Sequence, residues 1–531
     1  MGVSTINFNS GESMKQILIE KDSYYDSVFL MLINREVKKI EGVIDAVVSM
    51  GTEMNIILLR DTGLADKELD GLTPNDLIVA VEGKSTEVVE AAIKTAKEML
   101  DKKSGGDEGE GYKPSSLEGA IKVVPEANLA IISLPGEFAG REVKKALNNG
   151  LHVMLFSDNV SVDTEIELKK LAKEKGLLMM GPDCGTAIIN GKPLCFANVV
   201  RPGDIGVVAA SGTGLQEVTC AIEKFGGGIT QGIGTGGRDL KNIQIGGTMM
   251  LMGIEALKND SATKVIVVVS KPPADEVAER VIDALSKTGK PSVIHFIGLE
   301  PREQKGNLYF AGNLEEASGM AVALSKGETY KKRTYTIDRS EVDAIIERET
   351  KGMAGIQKYI RGLYTGGTLA DEALIMFDRE IGGIYSNNQS KKDFIPGDPN
   401  KSIKHTIVDL GDDVYTVGRP HPMIDPSTRE DRIKIEAEDE EMAVMLLDIV
   451  LGYGSHEDPA GAILDSLKAA KNKFEANGGY LSIITSITGT EGDFQSIDAT
   501  KSKLESIGCV VMPSNFQAST LALEIMRKVE K

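Results

Sequence analysis

The chain has 531 residues and a mass of 56.9 kDa, which at roughly 100–200 residues per domain makes three or four domains. Its 60 basic and 79 acidic side chains leave a formal charge of −19, which argues against a nucleic-acid polyanion or an anionic membrane as the main partner. Aromatics at 5% with no tryptophan leave no base-stacking platform, and 41% apolar residues fit packed cores rather than a disordered chain.

Strand-like runs at Gln16–Glu20, Val43–Ser49 and Asp76–Val81 alternate with amphipathic helices. The last of these, Ser85–Leu100, carries Val88, Ala91, Ala92, Thr95 and Met99 on one face. Residues 1–100 are thus expected to form a small α/β module that packs or regulates, with no catalytic signature. The glycine-rich, charged stretch Asp101–Glu118 has almost no apolar side chains to bury and reads as a linker (101–118).

Beyond it, strands and helices alternate almost to the end. Runs such as Leu129–Leu134, Leu151–Phe156, Gly206–Ala210, Lys264–Val269, Ser292–Ile297, Ala443–Val450, Tyr480–Ile487 and Cys509–Met512 are apolar on both faces. That is the signature of parallel βαβ units covered by helices. The chain also repeats itself. The run KVIVVVSKPPADEVAERVIDAL near Lys264 and MLLDIVLGYGSHEDPAGAILDSL near Met445 share the order strand, Gly/Pro loop, helix. Ala210–Gln216 corresponds to Tyr364–Leu369, and Gly232–Asp239 to Gly418–Asp425. The expected α/β architecture is therefore the small N-terminal module, a Rossmann-like domain at 119–202, and two flavodoxin-like domains at 203–328 and 329–531. The last carries a polar insertion near 387–404. Two such lobes can share one cleft at their C-terminal strand edges, where α/β sheets bind ligands.

Three hydroxyl/glycine turns follow strand runs and open helices or loops: Ser211-Gly212-Thr213-Gly214, Thr365-Gly366-Gly367-Thr368, and Gly452-Tyr453-Gly454-Ser455. A helix start offers free amides and partial positive charge, so each turn is a candidate phosphate site; each also reads as a plain N-cap. Gly232, Gly234 and Gly237 fit G-x-G-x-x-G only weakly and are expected to form a backbone turn presenting Arg238. Arg238 and its repeat partner Arg419 could hold a carboxylate, or serve as surface salt bridges. His421 and His456, in the loops, are the candidate proton shuttles; His152 and His295 lie in strand runs and belong to cores. Cys184 has no local histidine to activate it.

No Walker-type G-x-x-x-x-G-K-[ST] is present. Cys184, Cys195, Cys220 and Cys509 are scattered without zinc spacing, so no metal is expected. The start MGVSTINFNS has no basic segment before an apolar core, and no run of about 18 apolar residues occurs, so the expected location is the cytoplasm, away from membranes.

The stretch Gly181–Gly214, GPDCGTAIINGKPLCFANVVRPGDIGVVAASGTG, closely resembles the α subunit of succinyl-CoA synthetase, and the region from Thr365 onward is similar to the ligase domain of its β subunit. A chain that resembles α fused to part of β, without an ATP-grasp domain and behind a small module, is similar to the FdrA family. The resemblance implies a CoA-like site at Ser133, Pro135, Gly136, Ser157, Gly181, Pro182, Asp183 and Cys184. It also implies partner subunits, possible CoA, and no metal in this chain. The synthetase's phosphorylated histidine has no counterpart: the matching stretch Asn307–Asn313 (NLYFAGN) contains none, and the loop matching its supporting glutamate is Ser270-Lys271-Pro272-Pro273. What the FdrA resemblance implies is a carbamoyltransferase subunit of anaerobic allantoin use. Phosphate would convert oxalurate to oxamate and carbamoyl phosphate, with Arg238 and Arg419 on the carboxylate and His421 or His456 moving the proton. The alternatives are a succinate-CoA ligase-like acyl-CoA synthetase acting on a small carboxylic acid, and a scaffold for partner subunits.

Overall fold

The computed structural model describes residues 3–9, 13–21, 23, 25, 27–105, 114, 116–416 and 419–529. It divides into two compact units, one of residues 1–114 with 417–420, the other of 115–416 with 421–531.

In the first unit, β1 (Val3–Asn9), β2 (Met14–Glu20), β3 (Val43–Met50) and β4 (Leu77–Gly83) form an antiparallel sheet in the order β1-β2-β4-β3. Helices Ser27–Lys38 and Thr86–Gly105 cover one face, burying Leu30, Ile33, Val89 and Ala96 against Leu18, Val79 and Val81. Period-two alternation sends Ile17, Ile19 and Ile78 to the other face, under Leu59 of helix Glu53–Asp61. The last helix runs to Gly105, so it takes up the first residues of the expected linker; 106–113 lie outside the described residues.

The second unit opens with three short parallel strands, β5 (Leu129–Ile132), β6 (His152–Leu155) and β7 (Met179–Met180). A hairpin, β8 (Thr186–Ile189) and β9 (Lys192–Cys195), follows. Next come β10 (Pro202–Ala210), β11 (Ile229–Gly234), β12 (Val265–Ser270), β13 (Ser292–Phe296) and β14 (Leu308–Phe310). They build a seven-stranded sheet, β14-β13-β12-β10-β11-β8-β9, in which the hairpin supplies the antiparallel edge. The hairpin lies within the stretch expected to be Rossmann-like, yet its hydrogen bonds go to the following sheet. The second lobe holds β15 (Tyr359–Tyr364), β16 (Thr406–Asp409), β17 (Met442–Val450), β18 (Ser482–Thr488) and β19 (Val510–Met512), all parallel, in the order β16-β15-β17-β18-β19. This matches β11-β10-β12-β13-β14 strand for strand, so the repeat seen in the sequence is a structural duplication. It also corrects one pairing: the counterpart of β11 is β16, which lies before the predicted partner Gly418–Asp425.

Helices Gly212–Lys224 and Leu314–Ser325 of the first lobe pack on Gly367–Glu380 and Asn515–Val529 of the second. One core runs through both, including Val218, Ile222, Ala317 and Ala321 with Leu369, Ala373, Leu521 and Ile525. The lobes are thereby fixed against each other, and the starts of their first helices are brought together. Among the described residues no helix is long and apolar enough to cross a membrane.

Candidate functional site

In each lobe the strand order reverses beside the first strand: β10 lies between β11 and β12, and β15 between β16 and β17. Connections leave opposite faces at such a switch point, which opens a crevice at the C-terminal strand ends. The turns Ser211–Gly214 and Thr365–Thr368 sit at these two points and touch. Ser211 Oγ and Thr368 Oγ1 are 2.5 Å apart. Thr368 N donates to Thr213 Oγ1 at 3.3 Å, and a Cβ on Gly366 would stand 3.0 Å from the Thr213 methyl. Two duplicated helix starts therefore meet at one spot.

Each start is held differently. Ser211 is the N-cap of helix Gly212–Lys224, its hydroxyl accepting from Gly214 N at 3.0 Å. Among the described residues the amides of Gly212 and Thr213 donate to no protein acceptor. The second start is tied down by Asp448, the one acid inside the apolar strand β17. Its carboxylate accepts from Thr365 N (2.9 Å) and Gly366 N (2.7 Å), and Arg429 Nη2 lies 2.8 Å away. Both charges are buried, so each is retained by the other.

A charged network closes over the second start. Lys271 Nζ is 2.9 Å from Asp371 Oδ2, and Asn388 Nδ2 donates to Asp371 Oδ1 (2.9 Å) and Asp409 Oδ2 (3.1 Å). A Cβ on Gly367 would collide with Asp409 Oδ2 and stand 3.3 Å from Lys271 Nζ, so only glycine lets the carboxylate rest on the helix start. Burial pushes the Asp409 carboxyl up to about 6, with Lys271 pulling the other way. Burial works against the Lys271 charge, but Asp371 and Asp409 outweigh it and hold its pKa above the ordinary value.

The predicted CoA-like residues also converge, because parallel β5, β6 and β7 end at one edge. Asp183 N donates to Ser157 O at 3.0 Å and Cys184 N to Leu155 O at 3.2 Å. Gly136, after Ser133 and Pro135, packs against the Asp158 carbonyl, where a Cβ would collide; the same holds for Gly181, before Pro182, against Leu155 O. Asp183 is exposed at the surface, yet the neighbouring protein partly desolvates its carboxyl. That desolvation raises its pKa, Lys271 lowers it, and Asp158 and Asp413 raise it further. Cys184 is buried and its thiol is pushed up to about 12, which removes it as a nucleophile at neutral pH.

Several sequence expectations need correction. The Gly452–Ser455 turn is not a free cradle: Gly452 N donates to Gln495 Oε1, Tyr453 N to Ala197 O and Ser455 N to Gly452 O. Gly454 packs on Phe196, and the helix beyond is capped by Asp458. Gly232 and Gly234 are buried strand residues of β11, where glycine lets the strand approach Thr186 and Cys184. Arg238 is already partnered within the protein, with its side chain 38% exposed. It is 2.9 Å from Glu165 and donates to Val160 O at 2.7 Å, bracing the β5–β7 domain. Arg419 groups with the first compact unit. His421 lies beside Gly411 and packs against Phe196 with ring centroids 5.6 Å apart and planes tilted by 44°. Its Nδ1 accepts from Met423 N, and burial, against a smaller opposing pull from Asp448, lowers its pKa to about 4, so it is neutral at pH 7. His456 is held in the second lobe by Met423, Asp458 and Gln495. His295 is a core residue as expected, bonded to Ala311 O.

Sequence reasoning passed over Thr186, Asp371, Asn388, Asp409 and Asp448. The one readable signal was Asp448, a lone charge in the apolar run of β17.

The described fold matches known families in two stretches. Residues 14–115 match the family model "AllF, heavy metal-associated domain" and residues 363–525 match "CoA-ligase". The first stretch holds neither cysteine nor histidine, the first of each being Cys184 and His152, so methionine thioethers are its only soft-metal donors. Succinate–CoA ligase [ADP-forming] subunit alpha 2 of Archaeoglobus fulgidus is 29% identical over 209 residues, 38% of this chain and 69% of that protein. The acetyl-coenzyme A synthetase 1 of Ca. Korarchaeum cryptofilum, solved with phosphate and ADP, covers 82% of this chain and 92% of its own at 15% identity and a TM-score of 0.29, too loose to position any residue. Protein YahF of Escherichia coli (strain K12) is 44% identical over 518 residues, 97% of this chain and 99% of YahF. The chain belongs to the YahF family and carries an AllF-type module ahead of a CoA-ligase domain.

Proposed function

We propose that the second unit is an acyl-transfer enzyme of the CoA-ligase type, exchanging a small acyl group between phosphate and CoA. The observation that carries this reading is the meeting of two helix starts at 2.5 Å between Ser211 Oγ and Thr368 Oγ1, in the unit that also carries the β5–β7 strand ends. In the reaction the CoA thiol sulfur attacks the acyl carbon of an acyl phosphate, and the thiol proton passes to the departing phosphate. The carbon–oxygen bond to phosphate breaks, and phosphate leaves with the electron pair. Fixed amide dipoles at Gly212 and Thr213 stabilise that anion without reorganising. The reverse direction makes acyl phosphate from a thioester and phosphate. Burial of the leaving anion between the lobes strengthens each dipole by excluding water. The names of the curated relatives, CoA ligase α subunits, support the same class.

A second reading is favoured by one feature, the absence of histidine from Asn307–Asn313 together with Lys271 in the glutamate-equivalent loop. This is phosphate-dependent carbamoyl transfer of the FdrA type, in which phosphate oxygen attacks oxalurate and oxamate leaves, within an assembly that includes partner subunits in the cytoplasm. One experiment separates the two. The purified chain, alone and with its partner subunits, is given CoA with acetyl phosphate or carbamoyl phosphate, and in parallel oxalurate with phosphate. Thioester formation supports the ligase-type reading, and carbamoyl phosphate without any CoA requirement supports the second. Neither product in the complete assembly ends both.

A further inference from the structure

We propose that Thr186 and Lys271 are ligands for the phosphate group at the helix start Gly212–Thr213, and that Asp371 is the gate that releases Lys271 to it. This rests on the acyl-phosphate reading and adds the residues that bind the anion. Thr186 is 1% exposed, and its hydroxyl has no hydrogen-bond partner among the described residues. A buried hydroxyl normally finds a partner. This one lies beside the open amides, 3.5 Å from where a Cβ on Gly212 would stand. The hairpin β8–β9 puts it there by extending the β11 edge, with Gly232 paired to Ile188.

Lys271 arrives from the other side. Register pairs Ala210 with Ser270, so Ser211 and Lys271 are the first residues beyond the paired ends of adjacent strands. Its ammonium stands over Gly367, and Gly366 packs on Thr213, which places the charge at the seam of the two starts. The Lys271 side chain keeps 35% of its surface exposed and Asp371 keeps 13%, so both can exchange partners with a solute. The two starts are also unequal: Asp409 already lies on the second, which leaves the first as the anion's place.

The test is isothermal titration of the full chain with inorganic phosphate and, separately, acetyl phosphate. Thr186→Val and Lys271→Gln are each expected to weaken binding at least tenfold. Thr186→Ser and Lys271→Arg are expected to restore most of it, and Asp371→Asn to tighten it by freeing Lys271. Circular dichroism of every variant checks the fold. If the wild type binds phosphate and both losses leave the affinity unchanged, the ligand assignment is overturned while the acyl-phosphate reading stands. A wild type that binds neither anion overturns both.

Discussion

Asp448 is the strongest single test of how the second helix start is built. It is fully buried, accepts two backbone amides at 2.9 and 2.7 Å, and faces Arg429 at 2.8 Å. Asp448→Ala leaves a buried guanidinium without a counter-charge. Breaking such a pair costs about 3–5 kcal/mol. Asp448→Asn keeps an acceptor for the two amides but leaves the same guanidinium without a counter-charge, so its cost should approach the lower end of that range, about 3 kcal/mol. Removing both charges, as Asp448→Ala with Arg429→Met, should cost less than the sum of the singles by about 1–3 kcal/mol. The chain has no tryptophan, so urea unfolding is followed by far-ultraviolet circular dichroism, with hydrogen exchange at Thr365 and Gly366 reporting the site itself. An Asp448→Ala protein within about 1 kcal/mol of wild type, below the range for breaking a buried pair, or a double variant that is merely additive, would refute the argument that this ion pair fixes the turn.

Other outcomes follow from the same geometry. Glu372 is buried between the lobes, accepts from Leu314 N and Asn515 Nδ2, and burial pushes its carboxyl up to about 7. Its folded value exceeds the unfolded one, so its contribution to stability is present below about pH 4.5 and is lost as pH rises to about 7. Glu372→Gln should flatten this slope and raise stability above pH 7, by at most about 3 kcal/mol at 1.36 kcal/mol per pKa unit; an unchanged pH profile of urea midpoints counts against it. Gly367→Ala should misfold or lose the second helix start, since its Cβ meets Asp409, whereas Gly212→Ala should fold normally and bind phosphate less well; equal behaviour of the two variants in unfolding and titration contradicts the asymmetry of the starts. Cys184→Ser should leave turnover intact, because the buried thiol stays protonated; a thiol-dependent loss of rate would restore it as a nucleophile.

Local pattern determined a great deal. Runs apolar on both faces forced buried parallel strands, and a strand–turn–helix repeated twice forced two similar lobes. The Ser211 and Thr365 turns could be read as helix starts because hydroxyl and glycine residues directly followed such runs. Other features depended on distance in space. Gly232 and Gly234 look like a turn until β8 packs against them, since glycine's missing side chain signals either case. Gly452–Ser455 has the composition of an anion cradle, but Ala197 and Gln495, 256 and 43 residues away from Tyr453 and Gly452 respectively in the chain, take its amides. Arg238 and Arg419 looked equivalent because loop composition repeats, while Glu165 decides where one of them points. The network of Lys271, Asp371, Asn388 and Asp409 is assembled from a strand end, a helix, an insertion and a second strand end. No window of sequence holds it, because side-chain proximity there is set by the packing of two lobes rather than by spacing along the chain.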